Sequence, residues 1–407
     1  MQIIKVKNTY LVFLFLVLMS FISCGNKKKP LAKKEISSKT SKIITGANQT
    51  DLYLPLLKGK NIAVVANQTS IIQHKNGYTH LVDSLLKHQI NIKTVFSPEH
   101  GFRGKADAGE HIANGIDTKT GLPLISLYGK NKKPSAVQLK DIDIVLFDIQ
   151  DVGVRFYTYI STLHYVMEAC AEQNIRIIVL DRPNPNGHYI DGPVLEKAHT
   201  SFVGMHAVPI VYGMTIGEYA QMIQGEKWLN AEKKCDLAII PLKNYTHKSK
   251  YKLPIKPSPN LPNAKAINLY PSLCLFEGTQ VSCGRGTDKQ FQIFGAPFLA
   301  KGNYPFSFTP MPNNGAKYPK FKEEKCNGKD LRNTTYLAEF KLDYLINAYT
   351  NSPNKIGFFN KFFTRLAGTE KLQAQIIAGK LAKEIKVSWQ EDLNRFKKVR
   401  SKYLLYN

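Results

Sequence analysis

Between residues 58 and 187, short apolar runs alternate with segments of helical period, and no other feature restricts the possible folds as much. Asn61–Ala66 (NIAVVA) follows a Lys-Gly-Lys turn and is a short unbroken apolar run, as in a strand buried between two layers. His80–His88 places Leu81, Leu85 and Leu86 at helical spacing, and Asn91–Phe96 (NIKTVF) is a second strand. Asp143–Ile149 (DIVLFDI) and Ile175–Leu180 (IRIIVL) are the third and fourth, with a helix over Thr158–Glu172 between them. This order predicts an α/β fold, a parallel sheet with helices on both faces. Right-handed crossovers put the strand C-termini along one edge, and open sheets of this kind bind ligands beyond it.

Each of the four strands runs into a polar loop: Asn67-Gln68-Thr69, Ser97–Gly104 (SPEHGFRG), Asp148–Arg155 (DIQDVGVR) and Asp181–Gly187 (DRPNPNG). In the second loop Glu99 lies beside His100 and near Arg103, with Gly101 and Gly104 to allow a sharp turn. Glu99 is either a general acid/base tuned by its neighbours or a loop carboxylate paired with Arg103. Asp148, Gln150, Asp151 and Arg155 either clamp a polar substrate and orient Glu99, or brace their own loop. Tyr157 is an aromatic face for a sugar ring or part of the core. Arg182, Asn184 and Asn186 either bind hydroxyls or stabilise turns. Glu168, four residues after His164 on the expected helix, faces the cleft or the helix surface.

Residues 242–263 are rich in Lys, Pro and Asn, the composition of a linker or domain crossing. Beyond them, helical segments near Tyr336–Tyr349, Lys371–Lys383 and Trp389–Tyr403 predict a smaller α+β domain. From that half, Glu277 is a candidate second carboxylate, and Arg285, between two glycines, is a candidate carboxylate binder.

The N-terminus has Lys5 and Lys7, an apolar run from Tyr10 to Ile22, and then Ser23-Cys24-Gly25. The run is short for a membrane span. Its end resembles a bacterial lipobox, although Phe21 stands where Leu is usual. That reading makes residues 1–23 a lipoprotein signal peptide and Cys24 an acylated membrane anchor. Residues 24–45 become a Lys/Ser-rich tether. The other five cysteines show no C-x-x-C and no zinc spacing, so neither a disulfide framework nor a metal site is expected. With 56 Lys+Arg against 31 Asp+Glu the formal charge is +25. The lysines are scattered without a nucleic-acid motif, so an acidic envelope polymer is the expected partner and not nucleic acid. The expected location is the cell envelope, lipid-anchored and facing the periplasm.

The sequence holds no G-x-G-x-x-G after the first strand, no P-loop, no H-E-x-x-H and no G-x-S-x-G. No cofactor is expected, and carboxylate-driven hydrolysis is the remaining reaction class.

Several segments together resemble one family: FSPEHGFRG (96–104), GLPLISLYG (121–129), FDIQDVGVRFYTYISTL (147–163), LDRPNPNG (180–187), YGMTIGE (212–218), PSPNLP (257–262), LFEGTQVSCGRGT (275–287) and FGAP (294–297). In this order they are similar to the exo-acting β-N-acetylmuramidases, a glycoside hydrolase family long known as a domain of unknown function. The resemblance runs from about residue 45 to the C-terminus. One departure is Gln290-Phe291 where Pro-Phe is expected. The resemblance implies a Rossmann-like catalytic domain (46–250), a smaller domain completing the cleft (251–407), and release of terminal N-acetylmuramic acid (MurNAc) from peptidoglycan fragments. It further implies Glu99 as the catalytic carboxylate, with Glu168 as partner ahead of Asp151 and Glu277, or with help from the substrate's own 2-acetamido group. Asn67, His100, Arg103, Gln150, Asp151, Arg155, Tyr157, Arg182, Asn184, Glu277 and Arg285 are the expected substrate contacts. A non-catalytic lipoprotein binding the same fragments, or a hydrolase of another acidic envelope sugar, fits the residues as well.

Overall fold

A computed structural model of the chain describes residues 42–103 and 114–407. The signal segment, Cys24, the tether up to residue 41 and Gly104 lie outside the described residues. Lys42–Asn407 is one compact unit.

Its centre is a seven-stranded sheet of β1 (Asn61–Ala66), β2 (Asn91–Ser97), β3 (Gly115–Ile116), β4 (Pro123–Ser126), β5 (Ile144–Asp148), β6 (Arg176–Leu180) and β7 (Leu237–Ile240). The spatial order is β7-β6-β5-β1-β2-β4-β3, parallel throughout except for the short edge strand β3. The six parallel strands therefore follow the doubly wound 3-2-1-4-5-6 order, whose winding reverses between β1 and β5.

Side chains alternate between two apolar layers, as strand geometry requires. Ala63, Val65, Val145, Phe147, Ile177 and Val179 pack on one face with residues of α3 (Tyr159–Gln173) and α4 (Ile216–Gly225). Ile62, Val64, Ile144, Leu146, Ile178 and Leu180 pack on the other with α1 (Thr50–Leu57) and α2 (Leu81–Lys87). Burial on both faces is why these strands read as continuous apolar runs. Each fully buried Val, Leu or Ile contributes about 1.5–3 kcal/mol relative to exposure. Helix boundaries follow local chemistry. Asn174 takes a left-handed φ of 54° after α3, and a Thr215–Glu218 capping box starts α4.

The C-terminal part begins after α5 (Ala264–Leu273), whose first turn is capped by the Asn263 side chain. It holds a three-stranded antiparallel sheet of Ile293–Ala296, Cys326–Asp330 and Phe306–Phe308, followed by short helices. Its apolar side chains, Phe294, Phe340, Leu393 and Phe396 among them, join the cluster on the α3 face of the large sheet.

Four sequence expectations are corrected here. The expected helix at Lys371–Lys383 is two helices, because Gly379 turns the chain at φ +72°. The helix expected from Tyr336 starts only at Asp343, because the Phe340 and Lys341 amides instead donate to the side chains of Asp191 and Ser272. The tether ends earlier than residue 45: Ile44 exchanges backbone hydrogen bonds with Lys243 (3.1 and 3.0 Å). Of the two readings of residues 242–263, linker or domain crossing, the linker is corrected: they are packed chain. Their lysines face solvent while Tyr245, His247 and Ser258–Leu261 are buried.

Candidate active site

The loops after β2, β4 and β5 meet the C-terminal part around a cavity of about 290 Å³. Such a volume is at the small end of the roughly 300–1,000 Å³ typical of small-molecule sites. Glu99, His100, Tyr128, Thr158, Glu277 and Arg285 supply polar groups, and Phe156, Tyr157, Tyr270 and Phe291 supply aromatic walls.

Glu99 leaves β2 through Ser97-Pro98, and the Gly101 amide closes the turn on the Pro98 carbonyl (3.0 Å). His100 (φ 72°) and Gly101 (φ 76°) are both left-handed, a conformation that a non-glycine residue adopts rarely and at a cost. The Thr158 hydroxyl donates to Glu99 Oε2 at 2.7 Å. The Tyr128 hydroxyl also hydrogen-bonds Glu99; burial, then the Glu99 charge and this bond, push the phenol's pKa up. Behind it, Tyr159 donates to the Glu99 carbonyl (3.4 Å) and accepts from Asn67 Nδ2 (2.9 Å). Asn67 Oδ1 in turn accepts from the Thr69 amide and hydroxyl. The loops after β1, β2 and β5 are thus joined beneath one carboxylate.

Glu277 enters from the opposite wall. Cys283 Sγ donates to its Oε1 (2.9 Å) and Arg285 Nη1 to its Oε2 (3.0 Å). Lys320 reaches the Phe276, Glu277 and Thr279 carbonyls at 2.8, 3.2 and 2.7 Å. Burial alone would raise the Glu277 pKa. The Arg285 and Lys320 charges, with the Cys283 and Arg285 hydrogen bonds, outweigh it and hold the carboxyl below the usual carboxylate range. The cavity therefore contains one carboxyl held by hydroxyl groups and one held ionised by cations.

Of the residues singled out in the sequence, Glu99, His100, Tyr157, Glu277 and Arg285 line this cavity. The others do not, for identifiable reasons. Asn67 supports Glu99 through Tyr159 without reaching the cavity. Arg103 pairs with Asp117 (Nη2 to Oδ2, 2.7 Å) and not with Glu99. The Gln150 amide donates to the Asp151 and Pro183 carbonyls. Asp151 is buried beneath the Gly153 amide and the Tyr212 hydroxyl, and burial pushes its pKa up to about 6. Arg182 grips Asp148 with Nε (2.6 Å) and Nη2 (2.7 Å), both side chains inaccessible to solvent. The Asn184 amide binds the Met214 carbonyl and lies against Gly153 (φ 76°), where any Cβ would collide with it. Asn186 binds the Val152 and Ile267 carbonyls.

Arg155 is the largest departure. Its guanidinium is fully buried and donates to four carbonyls: Pro193 (2.8 Å), Val208 (2.8 Å), Leu366 (3.0 Å) and Ala367 (2.7 Å). It is a strut between loop and C-terminal helix, with no hydrogen left for a ligand at either Nη.

Glu168 is also displaced. Ten residues beyond Thr158 on one helix, its Cα lies ~15 Å along the axis from that of Thr158. Lys133 (2.7 Å) and the Asn230 amide (2.7 Å) engage its carboxylate there. His164 Nε2 also lies 3.4 Å from Oε2, and Glu168 does not line the cavity. Glu277 is the carboxyl that lines the cavity together with Glu99.

Tyr128, Thr158 and Tyr270 were not singled out. Tyr128 follows β4, a four-residue strand opening with Pro123 and only partly buried, so no apolar run marks the loop that carries it. Cys274 and Cys283 are buried free thiols, the second a donor to Glu277.

A doubly wound α/β sheet with two carboxylates and aromatic walls at its C-terminal edge has the makings of a glycoside hydrolase. Residues 62–265 match the N-terminal domain of the exo-β-N-acetylmuramidase NamZ family and residues 268–406 its C-terminal domain. The chain belongs to that family. It is 36% identical to the peptidoglycan β-N-acetylmuramidase NamZ of Bacillus subtilis, over 97% of this chain and 99% of that protein. Among solved structures, a DUF1343 family protein from Bacteroides fragilis is 49% identical and superposes with a TM-score of 0.83, covering 90% of this chain and 99% of that one. A second from the same organism is 29% identical with a TM-score of 0.76, over 90% and 99%.

Proposed function

We propose that the chain hydrolyses the terminal, non-reducing MurNAc of peptidoglycan fragments, with Glu99 as the proton-transferring carboxyl and Glu277 as its ionised counterpart. The observation that carries this reading is the unlike environment of two carboxyls in one aromatic-walled cavity. Glycoside cleavage needs a proton on the leaving oxygen and negative charge near the developing oxocarbenium ion. Glu277, held below the usual carboxylate range by Arg285 and Lys320, is poorly suited to supply the proton, which favours Glu99 for that step. The Thr158 and Tyr128 hydroxyls suit this duty, because a hydroxyl can turn from donor to acceptor as the carboxyl changes state.

MurNAc differs from N-acetylglucosamine (GlcNAc) by its lactyl carboxylate, and Arg285 is the guanidinium in the cavity wall able to meet it. Arg285→Met should lower kcat/KM for a chromogenic β-MurNAc glycoside by about 10²-fold, through KM by loss of the lactyl contact and through kcat by loss of its bond to Glu277. Wild-type activity on the β-GlcNAc glycoside should already be far lower. Equal turnover of both sugars by the wild type would refute this selectivity.

We also propose that Cys24 carries a lipid anchor that holds the enzyme in the cell envelope, facing the periplasm, as its lipobox-like context suggests. Cys24→Ala should abolish fatty-acid labelling and release the protein from the membrane fraction. Persistent labelling in that variant would refute the anchor.

A further inference from the structure

A second depression, of about 640 Å³, adjoins the catalytic cavity and shares Phe202, Val203 and Phe362 with it. These residues border both spaces. The Phe202 carbonyl is held by the Ser161 hydroxyl of α3 (2.8 Å), and Phe362 stands at the start of the helix Phe363–Ala367 with 38% of its surface exposed. That helix is rigidly placed. Phe363, Leu366 and Ala367 are buried, Phe363 lies against Gly278 so closely that a Cβ there would be 2.5 Å from its Cα, and Arg155 holds the Leu366 and Ala367 carbonyls. The exposed Arg365 is carried on its outer side.

The titratable lining of this groove is mostly basic. Lys132, His199 and Arg365 stand against one acid, Glu370. The Lys132 ammonium lies 4.9 Å from the centre of the Phe202 ring, and neither Lys132 nor Arg365 is in an ion pair among the described residues. A lysine over an aromatic ring at a cavity mouth keeps its charge available while its stem is packed.

We infer that this groove is the subsite for the leaving portion of the substrate, and that it selects fragments whose leaving portion is acidic; the inference rests on the muramidase reading above. An exo-acting enzyme encloses one terminal sugar and must leave an open path for the rest. Three observations place that path here: the two spaces share a wall, that wall presents two aromatic rings of the kind that stack on sugars, and unpaired cations lie just beyond it. Glycan strands of peptidoglycan alternate MurNAc with GlcNAc. A fragment cut at its terminal MurNAc thus leaves with a neutral GlcNAc first and a carboxylate-bearing MurNAc next. Lys132 and Arg365 are positioned for that second residue's carboxylate and not for the terminal one, which faces Arg285 in the inner cavity.

Three substrates test this on the full chain. The disaccharide MurNAc-GlcNAc has a neutral leaving group, and the trisaccharide MurNAc-GlcNAc-MurNAc an acidic one. The third is that trisaccharide esterified at the reducing-end lactyl group. The wild type should cleave the acidic trisaccharide with a kcat/KM about tenfold or more above the disaccharide, mostly through KM, and the ester should lose that advantage. In the double variant Lys132→Met/Arg365→Met the trisaccharide-to-disaccharide ratio should fall to about one. Because each ratio is internal to one protein, a general loss of folding or catalysis does not imitate the result. Disaccharide turnover with an unchanged ratio in the variant, or with ester and acid cleaved equally, would overturn the subsite. Failure of the wild type to cleave even the disaccharide would instead overturn the muramidase reading on which it rests.

Discussion

Replacement of Glu99 by Gln is expected to lower kcat on a β-MurNAc glycoside by about 10³-fold, within the roughly 10²–10⁴-fold typical of a positioned proton-transfer group. The substitution keeps the side chain's size and an oxygen to accept from Thr158 and Tyr128, while removing the group that takes and gives the proton. Substrate binding and the unfolding midpoint should change little. Glu168→Gln provides the contrast. It removes one partner of Lys133 and of the Asn230 amide on the far part of α3, so turnover should stay within a few-fold of wild type. Full activity in Glu99→Gln, or loss in Glu168→Gln equal to that in Glu99→Gln, would reverse the assignment of the two residues.

The largest stability effect is expected at Arg155. Truncation to Ala removes the side-chain donors of four buried carbonyls, of which Val208 keeps a second donor, the Leu195 amide (3.2 Å), and it opens a large cavity. Each unsatisfied buried group costs about 1–3 kcal/mol, so a loss of roughly 4 kcal/mol or more is expected. Against a total stability of about 5–15 kcal/mol, that brings the fold near its limit. Arg155→Lys should recover only part of the loss, since one ammonium cannot span carbonyls from two separate segments. Burial without a carboxylate partner lowers the Arg155 pKa to about 9, which marks it as a residue held by geometry and not by an ion pair. Urea unfolding measures the effect directly. A substrate-binding arginine would behave differently, raising KM without moving the unfolding midpoint, and that outcome at Arg155 would contradict the strut described here.

How much of this was legible in the sequence depends on what kind of signal each residue leaves. Strands buried on both faces announce themselves as apolar runs, and β1, β2, β5 and β6 were found within a residue or two. β4 and β7 are four residues each and only partly buried, and the C-terminal strand Cys326–Asp330 (CNGKD) has no strand-like composition at all. Sheet topology also located the right edge, because loop position follows from strand direction alone. The direction of a side chain within its loop does not. Glu99, Arg155 and Arg182 are all charged and all lie in loops that leave the C-terminal ends of strands, yet only Glu99 faces the cavity. What turns Arg155 inward is the Leu366–Ala367 backbone some 211 residues later, a contact that no local pattern records. The same holds for Glu277, which lines the cavity, and Glu168, which does not: the difference follows from which wall closes over the sheet edge, a tertiary fact.

Trapping an intact MurNAc-GlcNAc disaccharide in crystals of the Glu99→Gln variant tests the central assignment most directly. The scissile oxygen should lie ~3 Å from the residue 99 carboxamide, within hydrogen-bond reach, with the Glu277 carboxylate beside the terminal ring and its lactyl carboxylate on Arg285. A disaccharide seated with its glycosidic oxygen away from residue 99, or in reach of Glu168, would contradict it.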